Sequence, residues 1–336
     1  MIVKNIKTVL TKKLDDLLDS IEDKNIKKIF KENVIITGGC IPSMLESKPI
    51  NDFDIYFRTK EATFKIAEYY VNEFKNNPPT KLKDSGIIED IILIDEDLDI
   101  EQKSKTNYYE SSNIPVPEKK GRIKIKVQSA GVASEEDSDN YEYFEGLDDV
   151  QRQRVGDYVE KSFGVLKKEG EEEEEEKKYR PIFLSSNAIT LSNKVQLIIR
   201  FYGEPEDIHK NYDFVHCTNY WTSWNKELVL KKDALASLIT KELRYEGSKY
   251  PLCSIIRTRK FINKGWLINA GQYLKMCMQL NELDLNNINV LEDQLCGVDV
   301  AYFKEVINLM REYGKEHGDE NKIDTSYLFE VIDRLF

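Results

Sequence analysis

A short β-branched run, Val34-Ile35-Ile36-Thr37, ends on Gly38-Gly39 and passes through Cys40-Ile41-Pro42 to Ser43. Twelve residues after Gly39 a second apolar run opens, Asn51-Asp52-Phe53-Asp54-Ile55-Tyr56-Phe57. Alternate residues of a strand share a face, so Asp52 and Asp54 stand side by side. Two carboxylates held that close repel one another unless a cation lies between them. Gly38-Gly39 allows a tight turn with close backbone approach, and a helix starting near Ser43 would present backbone N–H groups to a phosphate. The pattern is that of a divalent-metal site beside a phosphate-gripping turn.

The flanking residues give this unit its frame. Leu14, Leu17, Leu18, Ile21, Ile26, Ile29 and Phe30 recur at spacings near three and four, which predicts one or two amphipathic helices over 11–32. A further helix is expected over 60–75, stopped by Asn76-Asn77-Pro78-Pro79. Residues 80–180 differ in kind: strands are expected at 87–94 and 122–127, a helix near 148–166, and the six glutamates 171–176 read as a solvated linker. Strands are expected again at 182–184, 189–191, 195–201 and 212–217, then helices over 232–243, 251–263, 266–281, 298–313 and 324–335.

Up to residue 76 the pattern, helix, strand, glycine turn, helix, paired-aspartate strand, helix, is that of an α/β unit, followed by an acidic insertion and a mainly helical C-terminal part. The expected boundaries are 1–95 for the first part of the core, 96–180 for the insertion, 181–225 for the second part and 226–336 for the helical domain. A formal charge of −11 speaks against a surface that coats nucleic acid generally. That charge is uneven, with 17 basic against 27 acidic residues over 81–180 but 14 against 8 over 181–280. The later part can therefore still attract phosphate. Five scattered cysteines without zinc-site spacing indicate free thiols in a reducing cytoplasm. No membrane span or signal-peptide core is expected.

Asp213 sits inside Tyr212-Asp213-Phe214-Val215, where a buried carboxylate needs a partner or a metal. Three carboxylates on adjacent strands, Asp52, Asp54 and Asp213, would hold two Mg²⁺ ions and align an attacking hydroxyl with a nucleotide α-phosphate. The first two would be shared ligands, and the third would bind the metal nearest the hydroxyl. Gly38, Gly39 and Ser43 would grip the triphosphate. Arg257, Arg259 and Lys260, on an apolar helix with a basic face, would meet triphosphate or an RNA backbone, or else form a solvated face. His216, Trp221 and Trp224 are expected to be packing residues rather than a base or stacking platforms.

Thr37-Gly38-Gly39-Cys40-Ile41-Pro42-Ser43 with Asn51-Asp52-Phe53-Asp54-Ile55-Tyr56-Phe57 resembles the signature of the DNA polymerase β-like nucleotidyltransferase superfamily. Within it, Ser186-Asn187-Ala188-Ile189-Thr190-Leu191, Val195-Gln196, Arg200-Phe201, Asp213-Phe214-Val215-His216-Cys217 and Tyr250-Pro251-Leu252 resemble nucleotidyltransferases encoded by tailed bacteriophages, as do Arg257-Thr258-Arg259-Lys260-Phe261 and Gly265-Trp266. The resemblance implies an α+β fold, a small mixed sheet flanked by helices, and Mg²⁺-dependent transfer of a nucleoside monophosphate, from ATP or CTP first of all, to a hydroxyl acceptor. RNA, including a tRNA end, leads as acceptor; a protein or small molecule is the alternative, and a non-catalytic phage or virion protein is the reading outside enzymology. The chain departs from the superfamily in carrying Cys40 where serine is frequent. It also has Pro42-Ser43 in place of the arginine-aspartate of bacterial CCA-adding and poly(A) enzymes.

Overall fold

The structure, a computed structural model, describes residues 3–78, 91–95, 122–126, 179–185, 187–285, 287, 290–291, 294 and 315. The expected helices near 148–166, 298–313 and 324–335 and the glutamate run 171–176 lie outside the described residues. The described residues fall into two compact units: one comprises those up to 126, 179–208 and 219–229, the other 209–218 and those from 230 onward.

In the first unit, helix α1 (Val3–Asp19) starts earlier than the leucine spacing suggested, because Ile6 and Leu10 extend the buried stripe of Leu14, Leu17 and Leu18. Helix α2 (Lys24–Asn33) is capped by Asp23, whose carboxylate accepts from the N–H groups of Asn25 at 2.7 Å and Ile26 at 3.1 Å. Strand β1 (Val34–Thr37) follows at once and is wholly buried, as four consecutive apolar or β-branched residues require. Then come α3 (Cys40–Leu45), β2 (Phe53–Phe57) and α4 (Lys60–Asn76), the last capped by the Thr59 hydroxyl. Helix α4 buries Ile66, Ala67, Tyr70, Val71 and Phe74. The rings of Phe57 and Tyr70 meet Phe30 edge-on, at centroid distances of 5.6 and 6.4 Å.

Strands β3 (Ile92–Asp95) and β4 (Ile123–Lys126) make a separate antiparallel pair. The main sheet adds β5 (Pro181–Leu184), β6 (Ala188–Leu191), β7 (Val195–Tyr202), β8 (Tyr220–Thr222) and β9 (Leu228–Val229), in the order β5-β6-β7-β2-β1-β8-β9. All neighbours are antiparallel except β2 and β7, so the sheet is mixed, as expected. Strands β8 and β9 escaped the sequence reading because they are only three and two residues long. They are nonetheless anchored: the Ser223 hydroxyl accepts from Val34 N–H at 3.0 Å and donates to the Phe30 carbonyl at 3.1 Å, while Trp221 is fully buried.

Helix α5 (Pro205–His209) follows the Gly203 turn. The second unit contains α6 (Lys232–Thr240), α7 (Pro251–Asn263) and α8 (Ala270–Leu280). Residues 212–217, expected as a strand, are not one. Val215–Cys217 is a 3-10 turn, and Phe214 makes only an isolated bridge to Tyr245. The apolar and aromatic side chains that suggested a strand pack in a ring cluster instead, with His216 against Trp266 at 4.2 Å and Phe261 at 4.8 Å. Among the described residues no helix is long and apolar enough to cross a membrane.

Candidate functional site

The β1–α3 turn is built around one left-handed residue. Gly38 has φ +84°, and a Cβ there would lie 2.5 Å from Asp54 Oδ2. Only glycine fits both the backbone and the neighbour. Gly39 is different: its φ is −73°, a Cβ would meet nothing within 4 Å, and the residue is exposed. It caps α3 with no side-chain acceptor. The two glycines thus have separate roles, one letting the turn close on Asp54 and the other leaving backbone open to solvent.

Asp54 lies within β2, opposite Thr37 of β1, and Asp52 immediately precedes the strand. Both are partly exposed. Cys40 reports on both carboxylates: burial, then the negative fields of Asp54 and Asp52, hold its thiol well above the usual cysteine range. It is therefore a neutral packing group, with Sγ 3.6 Å from the Thr37 carbonyl. Ser43 donates its hydroxyl to the Gly39 carbonyl at 2.9 Å, so phosphate binding by this hydroxyl requires a rotation of the side chain.

Asp213 belongs to the second unit, not to a strand beside β2. Its Oδ2 accepts from Arg257 Nη1 at 3.0 Å, and its Oδ1 from the Phe214 N–H at 3.2 Å. The partner that a shielded aspartate requires is thus a guanidinium on α7. The expected triphosphate ligand Arg257 and the expected third carboxylate satisfy each other. Lys260 lies on the last turn of the same helix, partly exposed. Burial outweighs the Asp213 charge and lowers the pKa of His216 to about 4, so this ring is neutral at physiological pH and acts as a packing group. Trp221 is core, and Trp224 carries the Arg58 guanidinium over its ring at 4.8 Å.

The Asp213–Arg257 pair has a measurable consequence. Its side chains are 15% and 27% exposed, so removing either partner leaves a shielded charge. Asp213→Ala and Arg257→Ala are each expected to cost about 2 kcal/mol of stability, with the double variant costing clearly less than the two losses combined. Urea unfolding of the four proteins measures that coupling.

Among the described residues no group of three or more His, Cys, Asp or Glu side chains is placed to hold a metal ion. The Asp52–Asp54 pair nevertheless fits Mg²⁺, which takes hard oxygen ligands, keeps several waters and is commonly held by one or two carboxylates plus substrate phosphates. The missing Cβ of Gly38 is what leaves room for the Asp54 carboxylate.

A family model described as Gad2, Gabija anti-defense 2 family protein, matches residues 8–241. The chain belongs to this family. The match covers the whole β1–α3–β2 turn, β5 to β9 and Asp213, and stops just past α6. The chain is also similar to the protein named Gabija anti-defense 2 of Bacillus phage SPbetaL7, with 23% identity over 107 residues. That alignment takes in 31% of this chain and only 27% of the phage protein. No solved structure matches the chain.

Proposed function

We propose that this chain is a metal-dependent nucleotidyltransferase that transfers a nucleoside monophosphate from a nucleoside triphosphate to a hydroxyl acceptor, and that this transfer serves an anti-defence role. The observation that carries the reading is the closure of the Gly38 turn onto Asp54, with Asp52 beside it at the mouth of β2. Two carboxylates, hard anionic donors, near the exposed Gly39 support the reading.

A bound Mg²⁺ would supply charge neutralisation at the α-phosphate and at the attacking oxygen. Asp52 and Asp54 would hold the cation. Gly38 keeps the Asp54 carboxylate in place, and the unobstructed Gly39 lets phosphate oxygens approach the main chain. The acceptor hydroxyl oxygen bonds to the α-phosphorus, the bond to pyrophosphate breaks, and the hydroxyl proton leaves to a carboxylate or to water. Arg257, on α7, is engaged by Asp213.

Membership of an anti-defence family favours a component of the defence as acceptor over a tRNA end. A protein hydroxyl is the acceptor we propose, and RNA is the second reading, supported by the basic balance of residues 181–280. In the host cytoplasm both acceptors are within reach. The test is incubation of the full chain with Mg²⁺ and each of four α-labelled nucleoside triphosphates, in the presence of separate protein, RNA and small-molecule pools from defence-bearing cells. Label is expected in the protein pool with one preferred nucleotide. Label in RNA alone would replace the acceptor, and no label in any pool would sink the enzymatic reading.

A further inference from the structure

The register of the main sheet places a row of polar residues across four neighbouring strands. Thr37 of β1 is opposite Asp54 of β2, Asp54 is beside Gln196 of β7, and Gln196 is opposite Thr190 of β6. Residues opposite each other in a sheet share a face, so these four side chains emerge on one side. Their neighbours along the strands, Ile36, Phe53, Ile55, Val195, Leu197, Ile189 and Leu191, are buried. Asp54, Gln196 and Thr190 keep partial exposure within this apolar setting, whereas Thr37 is buried and donates its hydroxyl to the Asn219 carbonyl at 2.9 Å. Partly exposed polar residues in otherwise buried strands mark the face on which the sheet opens to solvent. Asp54 lies on that face, with Gln196 one strand spacing away, about 4.8 Å.

We infer that Gln196 is the third side chain of the Asp52–Asp54 site, an uncharged oxygen ligand for the divalent cation in the place where three carboxylates were expected. This rests on the metal-site reading above and specifies its composition. The parallel pairing of β2 with β7 fixes the position within one unit, with Phe53 beside Val195, Asp54 beside Gln196 and Ile55 beside Leu197. Asp213, by contrast, already has Arg257 as its charge partner. An amide oxygen is a hard donor suited to Mg²⁺ or Mn²⁺ but brings no charge. The site therefore has two negative charges instead of three. Such a site binds a free cation weakly and gains affinity when a triphosphate supplies the missing anionic oxygens, so the cation enters with the nucleotide.

The test is Mn²⁺ binding by the full chain, read from the loss of the free-ion electron paramagnetic resonance signal and needing no turnover. Gln196→Glu adds the third charge on nearly the same shape and is expected to tighten Mn²⁺ binding about tenfold, since cation affinity follows ligand charge. Gln196→Ala is expected to weaken it about threefold, and Asp213→Asn to leave it unchanged. Binding by Gln196→Glu no tighter than wild type overturns the inference, as does a loss in Asp213→Asn equal to that in Asp54→Asn. A different failure is visible separately: if Asp54→Asn itself binds Mn²⁺ like wild type, the metal site on which the inference rests is wrong. A glutamine that served only to donate its amide N–H to Asp54 is told apart by Gln196→Ala, which would then leave Mn²⁺ binding unchanged or tighter because an Asp54 oxygen is freed, and that result also overturns the inference.

Discussion

With Asp52 and Asp54 both changed to asparagine, transfer of label from α-labelled nucleoside triphosphate is expected to fall by at least about a thousandfold, on the scale seen when preorganised charge stabilisation is removed from a transition state. The substitution keeps size and hydrogen-bonding shape but removes both charges that hold the cation. It therefore separates chemistry from folding. Asparagine can still accept hydrogen bonds where the carboxylates did, and the partly exposed positions do not demand an ion. Circular dichroism and the melting temperature are expected to stay within a few degrees of wild type. The same double variant is expected to lose its counter-defence effect when expressed in defence-bearing cells challenged by phage. Full counter-defence with no transfer would show that the fold acts by binding alone. Full transfer in the double variant would remove both carboxylates from the mechanism.

That this pair can be named from the sequence, while its neighbour cannot, has a physical reason. The β1 turn and β2 lie within 25 residues, and their apolar runs, glycines and alternating carboxylates specify an antiparallel pair locally. Gln196 was visible as the one polar residue in Val195-Gln196-Leu197-Ile198-Ile199, but its partner in β2 is some 140 residues away. No local pattern encodes which strand of a mixed sheet accepts another; that choice is made by packing. The stretch around Asp213 shows the converse for secondary structure. Aromatic and β-branched residues in a row read as a strand, yet aromatic residues also favour ring clusters. Here Phe214, His216, Phe261 and Trp266 made one, and an arginine 44 residues along supplied the charge. The helices were legible because their period is local, and α1 was underestimated only at its N-terminal end, where Ile6 and Leu10 continue the stripe.

Gly38 and Gly39 look equivalent in sequence, and their alanine variants are expected to behave oppositely. At Gly38 a side chain must adopt φ +84°, which costs an L-residue on the order of 1–2 kcal/mol. Its Cβ would also sit 2.5 Å from Asp54 Oδ2, nearer than any stable contact, so the Asp54 carboxylate must move. That displacement matters more for activity than the strain does for stability, because a shift of about 1 Å in a positioned catalytic group can cost on the order of a hundredfold in rate. Gly38→Ala is thus expected to lower transfer by about a hundredfold and stability by about 2 kcal/mol, with weaker Mn²⁺ binding as the direct sign that Asp54 has moved. Gly39→Ala meets open space at an ordinary helical φ and is expected to leave stability and Mn²⁺ binding unchanged. Its effect should fall on the nucleotide: the added methyl stands beside the exposed main chain that a triphosphate would approach, raising KM for the nucleoside triphosphate several-fold. Urea unfolding, Mn²⁺ titration and the KM of the two variants read these differences independently. Equal losses in both variants would mean that the turn acts only as a hinge of the fold, whereas the opposite pairing, Mn²⁺ affinity lost only in Gly38→Ala and KM raised only in Gly39→Ala, assigns the metal to one glycine's neighbour and the phosphates to the other's backbone.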